Sequence, residues 1–376
     1  MEPVLSHRQY RRCVAFFVTP HGYGHAARAA AVMAAWRKRS PDVHFEIFTR
    51  MPAWFFEDTL GSAFVLHNVL TDIGMAQRTA LDEDLEETLR QLDRFFPFDP
   101  VIVHRLAEHL KSRECRLVVC DIAPLGIAVA RAAGIPSVLI ENFTWDYIYE
   151  GYLEKDGRFR TPIERMRELY ALVDYRIQTE PVCQRAPCQL TTAPVSRAPR
   201  TGSSHIRQQL EIPDGARMVL ITMGGFSWEY RFLEALGEYP GVFFVVPGAR
   251  EVWDRMGTTR AMPANLVALP HRSRFFHPDL VNASDAVIGK AGYSTVAEVY
   301  WAGVPFGYVP RANFRESQAL VQFIAQEMPG IPLDASFDQG DWLVHLPAIL
   351  TLPRVARQGQ NGAEQAAQFL DQLADW

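Results

Sequence analysis

Four stretches of this chain carry residue types and spacings that can do chemistry. The richest runs from Ala283 to Gln318. Ala286–Gly289 reads as a short buried strand, and Lys290–Gly292 breaks it. A helix is expected over Tyr293–Ala302, with the Ser294 and Thr295 hydroxyls capping its free N–H groups. Gly303-Val304-Pro305 ends that helix before another strand. Such a turn offers unpaired N–H groups, a helix dipole and a lysine to an anion. Glu298 lies about one turn into the helix, placed to accept hydrogen bonds from a ribose. The other three stretches each follow an apolar run. His21-Gly22-Tyr23-Gly24-His25 has glycines that allow a tight turn and close ligand approach. Asp121 ends Leu117–Cys120, where open α/β sheets bind ligands. Met223-Gly224-Gly225-Phe226-Ser227 follows the run MVLITM.

These positions need a scaffold of alternating strands and helices. Val14–Thr19, His44–Thr49, Leu117–Cys120 and Ser137–Ile140 read as strands. Ala26–Arg39 and the segment GIAVARAAG read as helices between them, and Asp82–Phe96 as a charged helix. The alternation favours a parallel sheet covered on both faces. At TTAPVSRAPRTGSS, residues 191–204, the composition shifts to Pro, Ser and Thr, and a second strand–helix series follows. The expected organisation is a first domain over residues 1–190, a linker over 191–207 and a second domain over 208–360. Residues 361–376 form a terminal amphipathic helix. The fold class is α/β, two doubly wound Rossmann-like domains facing across a cleft.

Composition narrows the function. At 376 residues the chain can bury two cores, and 48% hydrophobic with 22% charged residues is ordinary for a globular protein. A net charge of -5 argues against a nucleic-acid surface. No signal peptide and no membrane-spanning run is visible, so a cytoplasmic location is expected. The five cysteines are scattered, and a C-x4-C pair on a strand points its sulfurs to opposite faces, a poor metal chelate.

The run GKAGYSTVAE, with VTPHGYGHAAR, VVCDIAP, SVLIENFTWDYIY, ITMGGFS and NGAEQAA, resembles the GT-B glycosyltransferases. The likeness takes in the UDP-glycosyltransferases and the lipid-II-forming N-acetylglucosaminyltransferase. It is strongest with the glycosyltransferase-like N-terminal part of plant L-arabinokinases and covers nearly the whole chain. The galactokinase-like half of those proteins has no counterpart here, so sugar-kinase activity is not implied. The resemblance implies a nucleotide-diphosphate sugar as co-substrate, UDP favoured, an acceptor of unknown identity, no separate cofactor and no metal ligands. No Asp-x-Asp motif with a metal role is present.

The resemblance also implies roles. His25 would deprotonate the acceptor hydroxyl, a task that suits imidazole because it titrates near neutrality, and Asp121 would orient it. Gly22, Gly24, Gly224, Gly225, Ser227, Lys290, Gly292, Tyr293, Ser294 and Thr295 would surround the donor diphosphate. Glu298 would take the ribose, His271 would sit beside the base, and Glu316 and Gln318 would hold the sugar. Asn142, Trp145 and Asp146 would face the acceptor. Each position also has a plain structural reading, from helix cap to snorkelling lysine to polar surface loop. Met51–Phe56 reads as a buried amphipathic helix or as a weak peripheral membrane contact. Two rival functions remain open: a catalytically silent sugar-nucleotide sensor, and a GT-B epimerase acting on a UDP-sugar.

Overall fold

The computed structural model describes residues 12–79, 82–224, 230–256, 261–333 and 335–374. The first domain runs through β1 (Arg12–Val18), α1 (Tyr23–Arg39), β2 (Val43–Thr49), α2 (Ala53–Leu60) and β3 (Phe64–Asn68). A small antiparallel pair, β4 (Gln77–Thr79) and β5 (Asp82–Glu83), precedes α3 (Leu85–Phe95) and α4 (Pro100–Ser112). Then come β6 (Cys115–Asp121), α5 (Pro124–Ala133), β7 (Ser137–Glu141), α6 (Trp145–Glu150), α7 (Arg160–Tyr170), β8 (Tyr175–Thr179) and β9 (Leu190–Thr192). The second domain contains α8 (Ser203–Gln209), β10 (Arg217–Thr222), β11 (Val242–Pro247), α9 (Ala249–Met256), β12 (Leu266–Leu269) and α10 (His277–Ala283). It continues with β13 (Ala286–Lys290), α11 (Tyr293–Ala302), β14 (Phe306–Val309), α12 (Glu316–Glu327), β15 (Gly330–Pro332) and α13 (Leu346–Thr351), and α14 (Gly362–Leu373) follows.

Two parallel sheets result, ordered β3-β2-β1-β6-β7-β8-β9 and β12-β11-β10-β13-β14-β15. Each begins in its middle and winds outward in both directions. The order reverses between β1 and β6 in one sheet and between β10 and β13 in the other. Ligands bind at such reversal points, beyond the carboxyl ends of the strands. Central strands are apolar on both faces: Val14, Phe16 and Val18 enter one core, Ala15 and Phe17 the other. Helices on both sides of the sheet require that pattern.

Several local readings shift by a few residues. The first helix begins at Tyr23 rather than Ala26, because Gly22 at φ 71° turns the chain immediately. The expected helix over Asp82–Phe96 begins only at Leu85, where Asp84 caps it through the Glu87 N–H at 3.0 Å. Residues 193–202 are neither helix nor strand, yet they are not a loose tether. Val195 is buried, the Ala193 N–H donates to Gln365 at 2.8 Å, and Trp301 Nε1 donates to the Pro194 carbonyl at 2.7 Å. Met51 and Phe56 are buried in the first core, and no described helix is long and apolar enough to cross a membrane.

α14 leaves the second domain and packs along α1. Asn361 caps it through the Ala363 N–H at 2.8 Å. Asp371 Oδ1 accepts from Trp36 Nε1 at 2.9 Å, Ser40 Oγ at 2.6 Å and Arg12 at 3.2 Å. Trp36 is fully buried, so removing its acceptor strands a donor. Asp371→Ala should lower unfolding stability by about 1–3 kcal/mol, read by urea denaturation. A change within error would show that the clamp adds nothing.

Candidate active site

β1 delivers the His21–His25 turn to the sheet's carboxyl edge. The register pairs Val18 with Asp121, so the end of β6 lies beside the start of that turn. His25, in the first turn of α1, reaches Asp121: Nδ1 to Oδ1 is 2.8 Å. Both are buried, at 7% and 1% exposure. Nδ1 also lies 3.2 Å from Arg28 Nη2, which can only donate; the shorter contact is with Asp121, which can only accept, so the proton is assigned to Nδ1 and Nε2 is left to accept.

Arg28 completes the group from one helical turn along α1. Its Nε donates to Asp121 Oδ2 at 2.8 Å and its Nη2 to Oδ1 at 2.7 Å, a two-pronged pairing. Burial alone would raise the Asp121 carboxyl; the Arg28 charge, and then the bonds from Arg28 and His25, hold it below its ordinary value. Arg28 Nη1 also donates to Asn142 Oδ1 at 2.6 Å, just beyond β7. Asn142 Nδ2 in turn donates to Glu316 Oε1 at 2.8 Å, at the start of α12 in the other domain. The guanidinium lies 5.0 Å from the centre of the Tyr293 ring. One hydrogen-bonded line thus runs His25–Asp121–Arg28–Asn142–Glu316 across the cleft.

The second domain answers with its own reversal point. β13 ends at Lys290, and α11 begins behind Gly292. The Ser294 and Thr295 hydroxyls do not cap α11 as expected; Gly292 is the cap residue and makes no side-chain bond. Both residues line the cleft instead, so the first-turn N–H groups face it without a side-chain cap. Burial, and then the Arg311 charge, bring the Lys290 ammonium down to about 7. Burial first, then Arg311, His25 and Lys290, push His21 well below its ordinary value, so it stands neutral. Gly224 closes the wall: a Cβ there would lie 3.9 Å from Lys290 Nζ, and its φ is 73°.

Two cavities share Tyr23, Gly224, Ser294 and Thr295. The first is lined by His21, Gly22, Gly24, His25, Arg28 and Asn142 from one side, and Lys290, Gly292, Tyr293 and Glu316 from the other. The second is walled by Tyr23, Trp54 and Phe55, facing His271, His277 and Glu298. Glu298 is buried and already engaged. Arg197, from the connecting segment, donates to Oε1 at 3.0 Å, and His277 Nδ1 lies 2.7 Å from Oε2. Burial would raise this carboxyl; Arg197 and His277 outweigh it and keep it ionised.

Three expected residues stand apart. Gln318 is exposed on α12 and lines an outer depression. Asp146 faces Arg167 at 3.7 Å, and Trp145 is fully buried behind His21, donating Nε1 to Asp72. Gly225 and Ser227 lie outside the described residues. The sequence reading missed Arg28, Arg197, His277 and Arg311. Arg28 carried a usable signal, since it follows His25 by three positions on one helix face.

Arg28→Met should leave the Asp121 charge buried and unmatched. The expected cost is on the order of 3–5 kcal/mol, measured by chemical denaturation, with part recovered in the double variant Arg28→Met/Asp121→Leu. Equal stability of the single variant and the parent would refute this account of the pair.

No protein-family model matches the chain. It is similar to L-arabinokinase of Arabidopsis thaliana, 29% identical over 371 residues, 96% of this chain and 34% of that protein. The chain therefore spans about a third of that relative's length. An uncharacterized glycosyltransferase of Methanopyrus kandleri is 24% identical over 286 residues, 69% of this chain and 76% of that protein. Among solved structures, the glycotransferase of kitacinnamycin superposes with a TM-score of 0.64 at 16% identity, over 96% of this chain and 99% of that one. A UDP-glucosyltransferase from Polygonum tinctorium gives 0.63 at 12%, over 97% and 99%. The glycosyltransferase VinC in complex with dTDP gives 0.55 at 17%, over 96% of each chain. Two doubly wound sheets facing across a cleft, superposable on these proteins along almost their whole length, give the chain the GT-B fold of glycosyltransferases.

Proposed function

We propose that the protein transfers a sugar from a nucleotide diphosphate to an acceptor hydroxyl. The observation that carries this reading is the His25–Asp121 contact facing the Lys290–Ser294 turn across one cavity. A diphosphate fits the junction of the two cavities, where the N-terminus of α11, Gly224 and Lys290 meet. The nucleoside then lies in the second cavity, its ribose at Glu298 and its base near His271. The sugar lies in the first, beside Glu316 and Asn142. The name of the Polygonum enzyme supports UDP as the nucleotide.

The chemistry follows from the atoms. The acceptor oxygen attacks the anomeric carbon as its proton passes to His25 Nε2, and the bond to the diphosphate breaks on the opposite face. Configuration at that carbon inverts. Asp121 steadies the imidazolium, and Lys290 with the α11 N–H groups takes up the charge on the leaving group. The step uses protein groups alone.

One observation favours the sensor reading instead. Arg28 already neutralises Asp121, which leaves less of that charge for a protonated His25. Transfer assays with UDP-sugars separate the two. His25→Ala should reduce transfer by about 10²–10⁴-fold, the usual span of a general base, and leave nucleotide affinity nearly unchanged. Asp121→Asn should reduce turnover less completely. A His25→Ala variant with full activity defeats the base, and a parent that binds UDP but transfers nothing to any acceptor favours the sensor.

Lys290 gives a second readout. An anion at its side raises an ammonium that burial, and then Arg311, bring down to about 7. Near pH 8, nucleotide-diphosphate binding should therefore take up close to one proton, and affinity should fall as pH rises from 7 to 9. Calorimetry in buffers of different ionisation heat measures the uptake. Lys290→Met should abolish it; uptake that persists in that variant belongs to another group.

A further inference from the structure

A second polar cluster lies on the face of the first sheet turned away from α1. Strand alternation puts His44, Glu46 and Phe48 on one side of β2. The parallel register sets His67 of β3 opposite Phe48, two positions beyond Glu46. α4 covers that side, bringing His109 from its last turn and Arg113 from the cap that follows.

Four side chains converge on the Glu46 carboxylate. His67 Nε2 lies 2.6 Å and His109 Nε2 3.3 Å from Oε2. The other oxygen, Oε1, meets Arg113 Nε at 2.9 Å and His44 Nε2 at 3.1 Å. Glu46 and His44 are sealed, at 1% and 8% side-chain exposure, while His67 and His109 reach the surface at 24% and 34%. None of the five lines either cleft cavity.

Neutralising one buried carboxylate takes one cation, and Arg113 is that cation. Three imidazoles are more than the charge requires, and they are divided in a particular way. Two ring nitrogens and Oε2 form a triangle whose atoms all lie within 4.8 Å of one another, on the side open to solvent. The remaining imidazole and the guanidinium hold Oε1 from behind. Metal sites divide their residues in this manner: ligands on one side, and behind them donors that fix the carboxylate.

We propose that Glu46, His67 and His109 bind a divalent transition-metal ion, with water completing the shell and with His44 and Arg113 orienting the carboxylate. Ligand atoms about 2.0–2.1 Å from a tetrahedral ion stand about 3.3 Å apart. The His109–Oε2 separation already has that value, and the His67 ring at the surface must withdraw by less than an ångström. Two imidazoles with one carboxylate suit Zn²⁺ or its neighbours over Mg²⁺ and Ca²⁺, which prefer oxygen. Three ligands from β2, β3 and α4 make the ion a clamp on the sheet edge, independent of the cleft.

The test uses the full chain without a histidine tag, stripped by chelator and dialysed. Calorimetry with Zn²⁺ and visible absorption with Co²⁺ should show one ion per chain, micromolar or tighter, with the intense bands of four-coordinate cobalt. His67→Ala and His109→Ala should each weaken binding about tenfold or more, and the thermal midpoint should rise with Zn²⁺ in the parent alone. Glu46→Gln keeps the shape and loses the charge, so it should bind weakly even where an alanine variant folds poorly. Equal affinity in the parent and the folded His67 variant, or no binding at 100 μM Zn²⁺, overturns the site.

Discussion

A carboxylate shut away from water keeps its charge only where opposite charge and hydrogen bonds surround it, and the cleft is arranged around this requirement at Asp121. Arg28 meets it with a planar fork that fits both oxygens. The fork fixes the first turns of α1, and with them the imidazole of His25. Because Arg28 has donors left over, it also fixes Asn142, and through Asn142 the first residue of α12. Its flat face rests on Tyr293, whose hydroxyl accepts from the Val195 N–H at 3.1 Å. Two strand ends, three helix starts and the connecting segment are thereby referred to a single ion pair.

The same logic appears on a smaller scale at Glu298. Arg197 lies in the segment between the sheets, so the residue that compensates the buried acid of the second cavity comes from neither sheet. Its guanidinium lies 4.8 Å from the centre of the Phe55 ring on α2. The connection is therefore a structural part of the cleft wall. A Pro- and Ser-rich composition marked where the chain leaves one sheet for the other. It gave no sign that Val195 and Arg197 would be buried there.

Much of the fold was legible because parallel strands buried on both faces must read as short apolar runs, as β1, β6, β7, β10 and β13 do; β8, with Arg176 and Gln178, does not and was not read as a strand. Helix ends were read less well. Gly22 at φ 71° sets the start of α1 and Gly292 is the cap residue of α11, while the Ser294 and Thr295 hydroxyls expected to cap α11 make no such bond. In the cleft, Asp121 stood out because it ends a strand, and His25 because it closes the glycine turn after another and matches the resemblance. Arg197 and His277 were invisible, since what joins them to Glu298 is long-range and leaves no spacing in the chain; Arg28 was signalled only by its place three positions after His25. Gln318 failed for the opposite reason. It is two positions from Glu316, and on a helix that step turns the side chain away from the cleft. The histidines at 44, 67 and 109 meet only because β2, β3 and α4 share one face.

The return of α14 to α1 has a consequence for the order of assembly. Ala363, Ala366, Ala367 and Leu370 belong to the same apolar cluster as Ala30, Met33 and Trp36. Trp36 and Asp371 are 335 positions apart. A ribosome adding residues in sequence makes the whole second domain before it makes the strip that covers the flank of the first. Until then that flank is bare, and nascent chains crowded on one message could pair through it. The first domain is begun before the second and covered only after it, so its apolar flank stays open while the second is made.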